Sequence, residues 1–348
     1  MDITALRARL RSGLVIPALP LALDADRRFD ERHQRAVLRY YLDAGVGGIA
    51  VGVHSTQFAI RDPAVGLYAP LLAFAAEEMR RRQPEALRIA GVCGRTAQAL
   101  GEVDVAVANG YDAVLLSLVA MGDAPERDVL AHVRAVAQRI PVVGFYLQRA
   151  VGGRRFSYAF WRDFAAIPGV VAVKIAPFDR YGTLDVVRAV VDAGRRDEVV
   201  LYTGNDDAIV ADLLTPFRFA ADQEPLFIAG GLLGHWGVWT RAAVGLLDEI
   251  KALRAGGGPI PLSWWTRAAE VTDMNAAVFD TANGFHGCIP GIHEVLRRQG
   301  LLAGNWCIDP SEVLSPGQTA ELDRVTAAYP HLVDTDFVAA NIGRWLEG

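Results

Sequence analysis

Lysine is nearly absent from this 348-residue sequence: of its 35 lysines and arginines, only Lys174 and Lys251 are lysines. Lys174 lies inside the apolar run Val170–Ala176, where a charged amine is costly unless it is neutral or paired. Burial lowers the pKa of a lysine, and a neutral amine attacks a ketone to form a Schiff base. Two interpretations therefore stay open: an imine-forming nucleophile, and an ion pair with a carboxylate such as Asp206 or Asp179.

Other side chains with catalytic chemistry lie where predicted strands end. Tyr146 ends the strand before that of the lysine, and its phenol could relay protons or simply line the rim of the core. Ser55 and Thr56, with nearby backbone N–H groups, could hold a small carboxylate or cap a helix. His54 and His235 could be acid–base groups, metal ligands or ordinary hydrogen-bonded histidines. They lie on separate loops without an HExxH spacing, and we expect no metal site.

Four arginines lie in the loops after the two predicted strands that carry Tyr146 and Lys174. They could bind an acidic substrate or remain solvated: Arg149, Arg154, Arg155 and Arg180. The three cysteines, Cys93, Cys288 and Cys307, form no CxxC pair and are expected to be reduced thiols. No Gly-x-Ser-x-Gly elbow is present, which argues against a serine hydrolase.

The elements that must position these residues are short apolar runs whose starts lie roughly 25 to 40 residues apart, the length of one strand–helix unit. The runs are continuous rather than alternating, which is typical of parallel strands covered on both faces. The predicted strands are Leu14–Leu19, Gly48–Val53, Ile89–Cys93, Ala113–Leu118, Val142–Tyr146, Val170–Ile175, Val199–Thr203 and Phe227–Leu233. The predicted helices between them are Phe29–Ala44, Tyr68–Arg82, Ala97–Asn109, Glu126–Gln138 and Leu184–Ala193.

Eight such units in series predict an α/β fold of the (β/α)8 TIM-barrel type, whose active site forms at the carboxyl ends of the strands. An open doubly wound sheet is the alternative, but no G-x-G-x-x-G or Walker A motif is present, and no cofactor is expected. After Leu233 the pattern becomes helical, with predicted helices Val238–Leu253, Leu262–Ala282, Gly291–Gln299, Ser315–Ala328 and Asp334–Leu346. We therefore expect a catalytic barrel over residues 10–235 and a C-terminal helical extension over 236–348.

Composition excludes several classes of function. The net charge is −5 and the isoelectric point about 5.8, so a protein that wraps nucleic acid is not expected. No run of 18 apolar residues predicts a membrane span, and Met1–Arg11 lacks the apolar core of a secretory signal. A cytoplasmic protein acting on a small molecule fits these features.

At the residues above, the chain resembles the dihydrodipicolinate synthase and N-acetylneuraminate lyase family of class I aldolases. The resemblance runs in order over roughly residues 13–325. It is carried by the segments Gly13–Leu19, Asp43–Ile49, Val53–Ala59, Pro141–Tyr146, Gly169–Lys174, Gly204–Asp206 and Leu314–Pro316. The family implies a (β/α)8 barrel and a strand-six lysine that forms an imine with pyruvate or another 2-oxo acid.

The resemblance also implies roles for individual residues. Lys174 takes the imine role, Tyr146 the proton-relay role, and Ser55 the hydroxyl that helps to hold the carboxylate. His54 occupies the first of the family's two hydroxyl positions, Ser55 the second; an imidazole is not a hydroxyl, but it could transfer the same proton. The predicted catalytic residues are thus Lys174, Tyr146 and His54, and the predicted substrate-binding residues are Ser55, Thr56, Gly204, Asn205 and His235. The family also implies a homo-oligomer, a dimer or tetramer.

Departures from the family pattern bear on specificity. Val151 stands where the family's dihydrodipicolinate synthases have an arginine, and Leu118–Met121 replaces a tyrosine pair. Thr56 and Gln57 alter the motif after strand two. We therefore expect a divergent 2-oxo acid aldolase, a hydratase-aldolase or a dehydratase. The alternative is a family member with altered catalysis that binds a 2-oxo acid as a sensor or partner protein.

Overall fold

A computed structural model describes residues 2–221 and 223–347, and these residues contain eight strands. The strands are β1 Val15–Pro17, β2 Gly48–Val51, β3 Leu87–Val92, β4 Ala113–Leu116, β5 Val142–Leu147, β6 Val170–Ala176, β7 Val200–Thr203 and β8 Gly230–Leu233. They form one sheet in the order β1-β8-β7-β6-β5-β4-β3-β2, with parallel pairing from β3 through β8. This is the strand order of a (β/α)8 barrel, so the predicted fold class is confirmed.

Every residue of these strands is buried except Arg88 and Leu147, which are partly exposed. Burial on both faces explains why the strands appear in the sequence as continuous apolar runs. All eight predicted strands are present, with ends that differ by a few residues.

Helices alternate with the strands and then continue beyond β8. They are α1 Ile3–Arg11, α2 Glu31–Ala44, α3 Tyr68–Arg82, α4 Thr96–Ala108, α5 Glu126–Ala137, α6 Tyr158–Ala165, α7 Arg180–Asp192, α8 Ile209–Leu214, α9 Thr240–Gly256, α10 Ser263–Val278, α11 Cys288–Arg298, α12 Gln318–Ala328 and α13 Thr335–Leu346. The last five confirm the predicted helical part at the C-terminus. No helix in the described parts of the chain is long and apolar enough to cross a membrane.

Three helices were not predicted, namely α1, α6 and α8. Helix α6 contains four aromatic residues, which favour strands by intrinsic preference. Its start is nevertheless fixed by Ser157, whose hydroxyl accepts a hydrogen bond from the N–H of Phe160 at 3.0 Å. Helix α8 is only six residues long, too short for a helical period to be visible.

Contacts within the chain define two compact units. The first comprises Met1–Leu14 and Arg88–Leu232, and the second Val15–Leu87 and Leu233–Gly348. In the first unit, α1 buries Leu6 and Leu10, and the hydroxyl of Tyr202 on β7 donates to the carbonyl of Leu10 at 2.7 Å. In the second, α13 packs on α2, where the ring of Trp345 lies 5.5 Å from that of Tyr40. The predicted boundary near residue 235 stays a prediction.

Candidate active site

Lys174 lies two residues before the carboxyl end of β6 and is only 8% exposed. Its neighbours in register are Phe145 on β5 and Tyr202 on β7, so the three side chains project to the same face of the sheet. The Nζ atom of Lys174 lies 4.4 Å from the centroid of the Phe145 ring, a cation–π distance. The amine is therefore held against an aromatic face.

Burial controls the charge of this amine. It lowers the pKa of Lys174 from 10.5 to about 8, and the negative charge of Asp206 opposes part of that shift. The lowering raises the fraction of neutral amine at pH 7 by roughly 300-fold over an unperturbed lysine. Asp179, the other carboxylate considered for pairing, instead caps α7, accepting from the N–H groups of Tyr181 at 2.8 Å and Gly182 at 3.0 Å.

The turn after β7 is shaped around the lysine. A Cβ atom on Gly204 would lie 2.6 Å from Cε of Lys174, so only glycine leaves room for the lysine side chain. Asn205 is fully buried, and its amide is engaged on both sides. It donates to the hydroxyl of Thr183 and to the carboxylate of Asp212, and it accepts from the N–H of Phe178 at 3.0 Å.

These contacts give the two residues different tasks. Gly204 makes space, and Asn205 holds the loop after β6, whose Phe178 adopts the left-handed φ of 52° that is strained for a bulky residue. Their predicted role in holding the substrate directly stays a prediction.

Tyr146 is not placed beside the lysine. Its ring packs on that of Trp161 in α6, with centroids 4.8 Å apart, and its hydroxyl would lie 3.1 Å from a Cβ on Gly182 of α7. It is 4% exposed, and burial raises its pKa. The phenol therefore faces the helices, on the opposite side of β5 from Phe145.

A shift in strand register explains this placement. Val142 pairs with Val170, but the next residue, Val143, pairs with Ala172, so one residue of β6 is skipped. Without this irregularity, Tyr146 would pair with the lysine; with it, Phe145 does. Adjacent residues of a strand point to opposite faces of the sheet. A pairing shift of one residue therefore decides which of the two lies on the same face as a given residue of the next strand. The proton relay predicted for Tyr146 is thus not supported by its position.

The carboxyl ends of β4 and β5 enclose a cavity of about 160 Å³, here called the β4–β5 cavity. The loops after these strands form its wall, together with Phe145 and Leu147 of β5. Arg154 joins the two loops: its Nη1 donates to the carbonyls of Gly122 and Ala124, and its guanidinium stacks 4.5 Å from the ring of Phe156.

The other three candidate arginines have simpler settings. Arg149 and Arg155 are exposed, consistent with the solvated interpretation. Arg180 pairs with the buried carboxylate of Asp212 and donates to the hydroxyl of Thr183 at 3.3 Å. Of the four, only Arg154 lines the β4–β5 cavity.

In the second unit, the segment after β2 forms a short 3-10 helix, His54–Thr56. Thr56 is fully buried, and its hydroxyl donates to the carbonyl of Leu19 at 2.6 Å and accepts from the N–H groups of Gly52 and Val53. It thus fastens this segment to the chain that follows β1.

Ser55 is 3% exposed. The ring of His54 lies edge-on to that of Phe58, 6.1 Å away. The predicted roles of His54 and Ser55 in catalysis and binding stay predictions.

His235, after β8, is 6% exposed, and its ring packs edge-on against that of Trp239 at 5.9 Å. Burial lowers its pKa to about 4, so the imidazole is neutral at physiological pH. A proton transfer that requires titration near neutrality is therefore unfavourable there, while hydrogen bonding to a substrate remains compatible with a neutral ring. Within residues 2–221 and 223–347, no group of three or more His, Cys, Asp or Glu side chains could hold a metal ion.

Two features of the site were not assigned from the sequence. Phe145 was overlooked because its neighbour Tyr146 has the more reactive side chain, and the register that separates them is invisible in a single sequence. Asp206 was considered only as an ion-pair partner. The glycine pair Gly152-Gly153, which follows β5, was the only sequence sign of the tightly turned cavity wall.

The fold described above occurs in solved structures of dihydrodipicolinate synthases and N-acetylneuraminate lyases, which confirms the resemblance at the level of the fold. Dihydrodipicolinate synthase from Oceanobacillus iheyensis has a TM-score of 0.73 at 17% identity, covering 94% of this chain and 99% of that one. The enzyme from Cyanidioschyzon merolae with lysine bound has 0.74 at 18%, covering 92% and 99%. N-acetylneuraminate lyase from Fusobacterium nucleatum complexed with pyruvate has 0.72 at 15%, covering 92% and 97%.

No protein-family model matches the chain, and no curated protein is similar to it in sequence. The comparisons therefore relate this chain to those lyases and synthases through the fold, and its chemistry must be argued from its own residues.

Proposed function

We propose that this protein is a Schiff-base-forming lyase of the class I aldolase type that acts on pyruvate or another 2-oxo acid. The observation that carries the proposal is Lys174, a buried amine with its pKa lowered to about 8, on strand six of a (β/α)8 barrel. Structures of the same fold include a lyase complexed with pyruvate, which agrees with a small 2-oxo acid as the substrate. The proposal covers three reactions that such an imine supports: aldol cleavage, a hydratase-aldolase reaction and dehydration.

The chemistry follows from the neutral amine. Nζ of Lys174 attacks C2 of the 2-oxo acid, and loss of water gives a protonated imine. In the cleavage direction, a base removes the proton of the C4 hydroxyl, the C3–C4 bond breaks, and its electron pair passes to the imine nitrogen. An aldehyde leaves, C3 of the resulting enamine takes up a proton, and water releases pyruvate and regenerates the amine.

Asp206 has a clear electrostatic part in this scheme. Its charge favours the protonated form of Lys174, and the same charge stabilises the protonated imine, which carries its positive charge at the same nitrogen. Asp206 is only 4% exposed, so the interaction of its carboxylate with the nitrogen is weakly screened. We do not propose Tyr146 as the proton-transfer residue, because its hydroxyl faces the helices. We propose His54 for that role on the basis of the family resemblance alone.

The test is reductive trapping. The full-length protein is incubated with pyruvate and sodium borohydride, and intact mass and peptide mapping are then recorded. We expect one added N-carboxyethyl group, located on the peptide that contains Lys174. The sequence has only two lysines, so Lys251→Arg is a matched control that should trap at the wild-type rate, while Lys174→Arg should not trap at all.

Three results would contradict the proposal: no adduct with pyruvate or with any of a panel of 2-oxo acids, an adduct confined to Lys251 or the N-terminus, or 2-oxo acid binding that survives Lys174→Ala unchanged. The last of these would instead support a binding protein that has lost the covalent step.

We also propose a homo-oligomer in which each active site is largely built from one chain. Large apolar side chains exposed near the start of α10 agree with subunit contacts in this region: Leu262 is 81% exposed and Trp265 47% exposed. Cytoplasmic location stays a prediction from composition.

A further inference from the structure

Buried hydrogen bonds hold the turn that follows β7, Gly204–Asp206, here called the β7 turn. Thr203 pairs with the residue after Lys174, so its side chain points to the opposite face of the sheet from the lysine. On that face its hydroxyl donates to Oδ2 of Asp212, in α8, at 2.6 Å. Nδ2 of Asn205 donates to the same oxygen at 2.9 Å. Asp212 therefore binds the chain immediately before the β7 turn and within it.

The carboxylate of Asp212 also reaches a third element. Asp212 is fully buried, and a buried carboxylate is costly unless its oxygens are paired. Its second oxygen, Oδ1, accepts from Nη1 of Arg180 at the start of α7. Arg180 and Asn205 both donate to the hydroxyl of Thr183, at 3.3 and 3.1 Å. One carboxylate thus joins β7, the β7 turn and α7 to α8.

The β7 turn also contacts the lysine. A Cβ on Gly204 would lie 2.6 Å from Cε of Lys174, and the charge of Asp206 acts on the amine. These two residues of the turn alternate along the chain with the two that Asp212 binds. The N–H of Asp206 donates to the carbonyl of Gly204 at 3.1 Å, so the turn is closely folded. The position of the charge therefore depends on the hydrogen bonds behind it.

We infer that Asp212 is a positioning residue for the reaction: its carboxylate fixes the β7 turn, and the turn fixes Asp206 where its charge stabilises the protonated imine. This inference rests on the proposed Schiff-base lyase function. The energy between two charges depends on their separation, and more steeply in a buried site than in water. A carboxylate that is already in place needs no reorganisation when positive charge forms at the nitrogen of Lys174. Asp212 acts through Asp206.

The experiment measures the charge of the amine directly. Lysine labelled with carbon-13 at Cε should give two NMR signals, since the sequence has only Lys174 and Lys251, and Lys251→Arg assigns them. In wild type the signal of Lys174 should titrate with a midpoint near pH 8. In Asp206→Asn the midpoint should fall, because the charge that favours the protonated amine is lost.

Asp212→Asn should lower the midpoint in the same direction. An amide has one oxygen, so residue 212 can then accept from Arg180 or from the pair Thr203 and Asn205, but not from both sides. The β7 turn loosens, and the charge of Asp206 is no longer fixed near the nitrogen. If the variant merely opened the site to water, the burial penalty on the charged amine would be relieved and the midpoint would rise instead.

A double-mutant cycle separates positioning from the direct effect of removing the charge of Asp212. In an Asp206→Asn background, Asp212→Asn should leave the midpoint unchanged, because no charge remains to be positioned. Thr203→Val removes one hydroxyl and no charge, and it should lower the midpoint only when Asp206 is present. This milder variant also keeps the inference testable if Asp212→Asn does not fold.

The imine gives a second measurement, by trapping with pyruvate and cyanoborohydride. At pH 9.5 the free amine of Lys174 is mostly neutral, so forming the protonated imine adds a positive charge that Asp206 stabilises. The amount of imine should there be about 10-fold lower in Asp206→Asn and Asp212→Asn than in wild type. At pH 6 amine and imine both carry the charge, and the variants should agree with wild type within about twofold.

Asp112→Asn is the matched control. Asp112 is 7% exposed and accepts from the N–H of Arg88 at 3.0 Å, but it precedes β4, at the amino ends of the strands. It should keep the wild-type midpoint and the wild-type amount of imine at both pH values.

The outcomes separate the two proposals. A midpoint that is unchanged or raised in the folded variants of Asp212 and Thr203, or an equal fall with and without Asp206, overturns the positioning role and leaves the lyase proposal standing. Failure of the wild type to trap pyruvate or any other 2-oxo acid overturns the lyase proposal, and the stabilisation of an imine falls with it.

Discussion

At the scale of single residues, Lys174 combines two opposed requirements. An amine that is nucleophilic near neutral pH has to be buried, and burial of an amine that still binds a proton destabilises the folded protein. The ring of Phe145 covers the nitrogen, and Asp206 supplies the compensating charge. This arrangement makes the amine nucleophilic and lowers the free energy of unfolding. The reactivity of the amine and the stability of the protein can be measured separately.

The first prediction concerns that free energy. The pKa of Lys174 is about 8 when folded and 10.5 when unperturbed, so the unfolded chain binds more protons between these values. Stability of the wild type should therefore rise as pH increases from 8 to 10.5, by about 3 kcal/mol from this residue alone. Lys174→Met lacks the group and should be the more stable protein at pH 7. Urea unfolding at several pH values measures the difference, which should shrink towards pH 10.5. A difference that does not vary with pH would show that the lysine titrates normally.

The second prediction concerns the space around the lysine. In Gly204→Ala, the added Cβ would collide with Cε of Lys174, which must then move. We expect the rate of borohydride trapping with pyruvate to fall by about 100-fold, as for a reactive group displaced by an ångström. Gly101→Ala is the control, because a Cβ there meets nothing within 4 Å and α4 should gain slightly in stability. Unchanged trapping in Gly204→Ala, with a folded protein by circular dichroism, would contradict the assignment.

At the scale of elements, the pairing of β5 with β6 decides which aromatic residue meets the amine. Both strands were predicted with nearly correct ends, yet the irregular register near Val142 changes the pairing by one residue. Strand ends follow from composition, but register depends on how neighbouring strands pack, and it fixes which face each side chain takes.

The third prediction follows from this register. Tyr146→Phe should trap pyruvate and turn over substrate within about twofold of the wild-type rate, because positioned acid–base groups are worth 10²- to 10⁴-fold and this hydroxyl faces α6 and α7. Single-turnover trapping and steady-state cleavage measure the two steps. A loss of more than about 100-fold in both steps would mean that the phenol reaches the imine after all.

At the scale of the whole molecule, the described residues form a barrel followed by five further helices, and the start of α10 exposes Leu262 and Trp265 to solvent. Isolated apolar side chains on a surface are ordinary, but two large ones close together are typical of contact surfaces. The family resemblance implies a dimer or tetramer, and this region is where we expect subunits to meet.

The fourth prediction is therefore about assembly. Light scattering should give a mass of two or four times 37.6 kDa. The double variant Leu262→Asp/Trp265→Asp should shift the distribution towards smaller species, and Val107→Asp, at a 50% exposed valine on α4, should leave it unchanged. Trapping by Lys174 should persist in the dissociated protein, because Leu118–Met121 replaces the tyrosine pair through which the resembled family completes its site across subunits. A monomeric wild type, or a site that fails on dissociation, would contradict this.

The sequence by itself determined the eight strands, ten of the helices, the (β/α)8 class and the lysine. These depend on local information: continuous apolar runs mark strands buried on both faces, amphipathic periods mark helices, and one lysine in an apolar run is unusual whatever surrounds it. The resemblance to the lyase family was likewise contained in short segments, and the fold agrees with it.

The tertiary structure alone decided which groups meet. In the folded chain Tyr146 faces the helices and Phe145 contacts the lysine. Thr56 and Asn205 make hydrogen bonds that hold loops in place. The charge of Asp206 acts on the amine. The tertiary structure also enclosed the β4–β5 cavity between loops that are distant in sequence. Register, side-chain burial and cavities arise from contacts between segments, and a single sequence carries no direct record of those contacts.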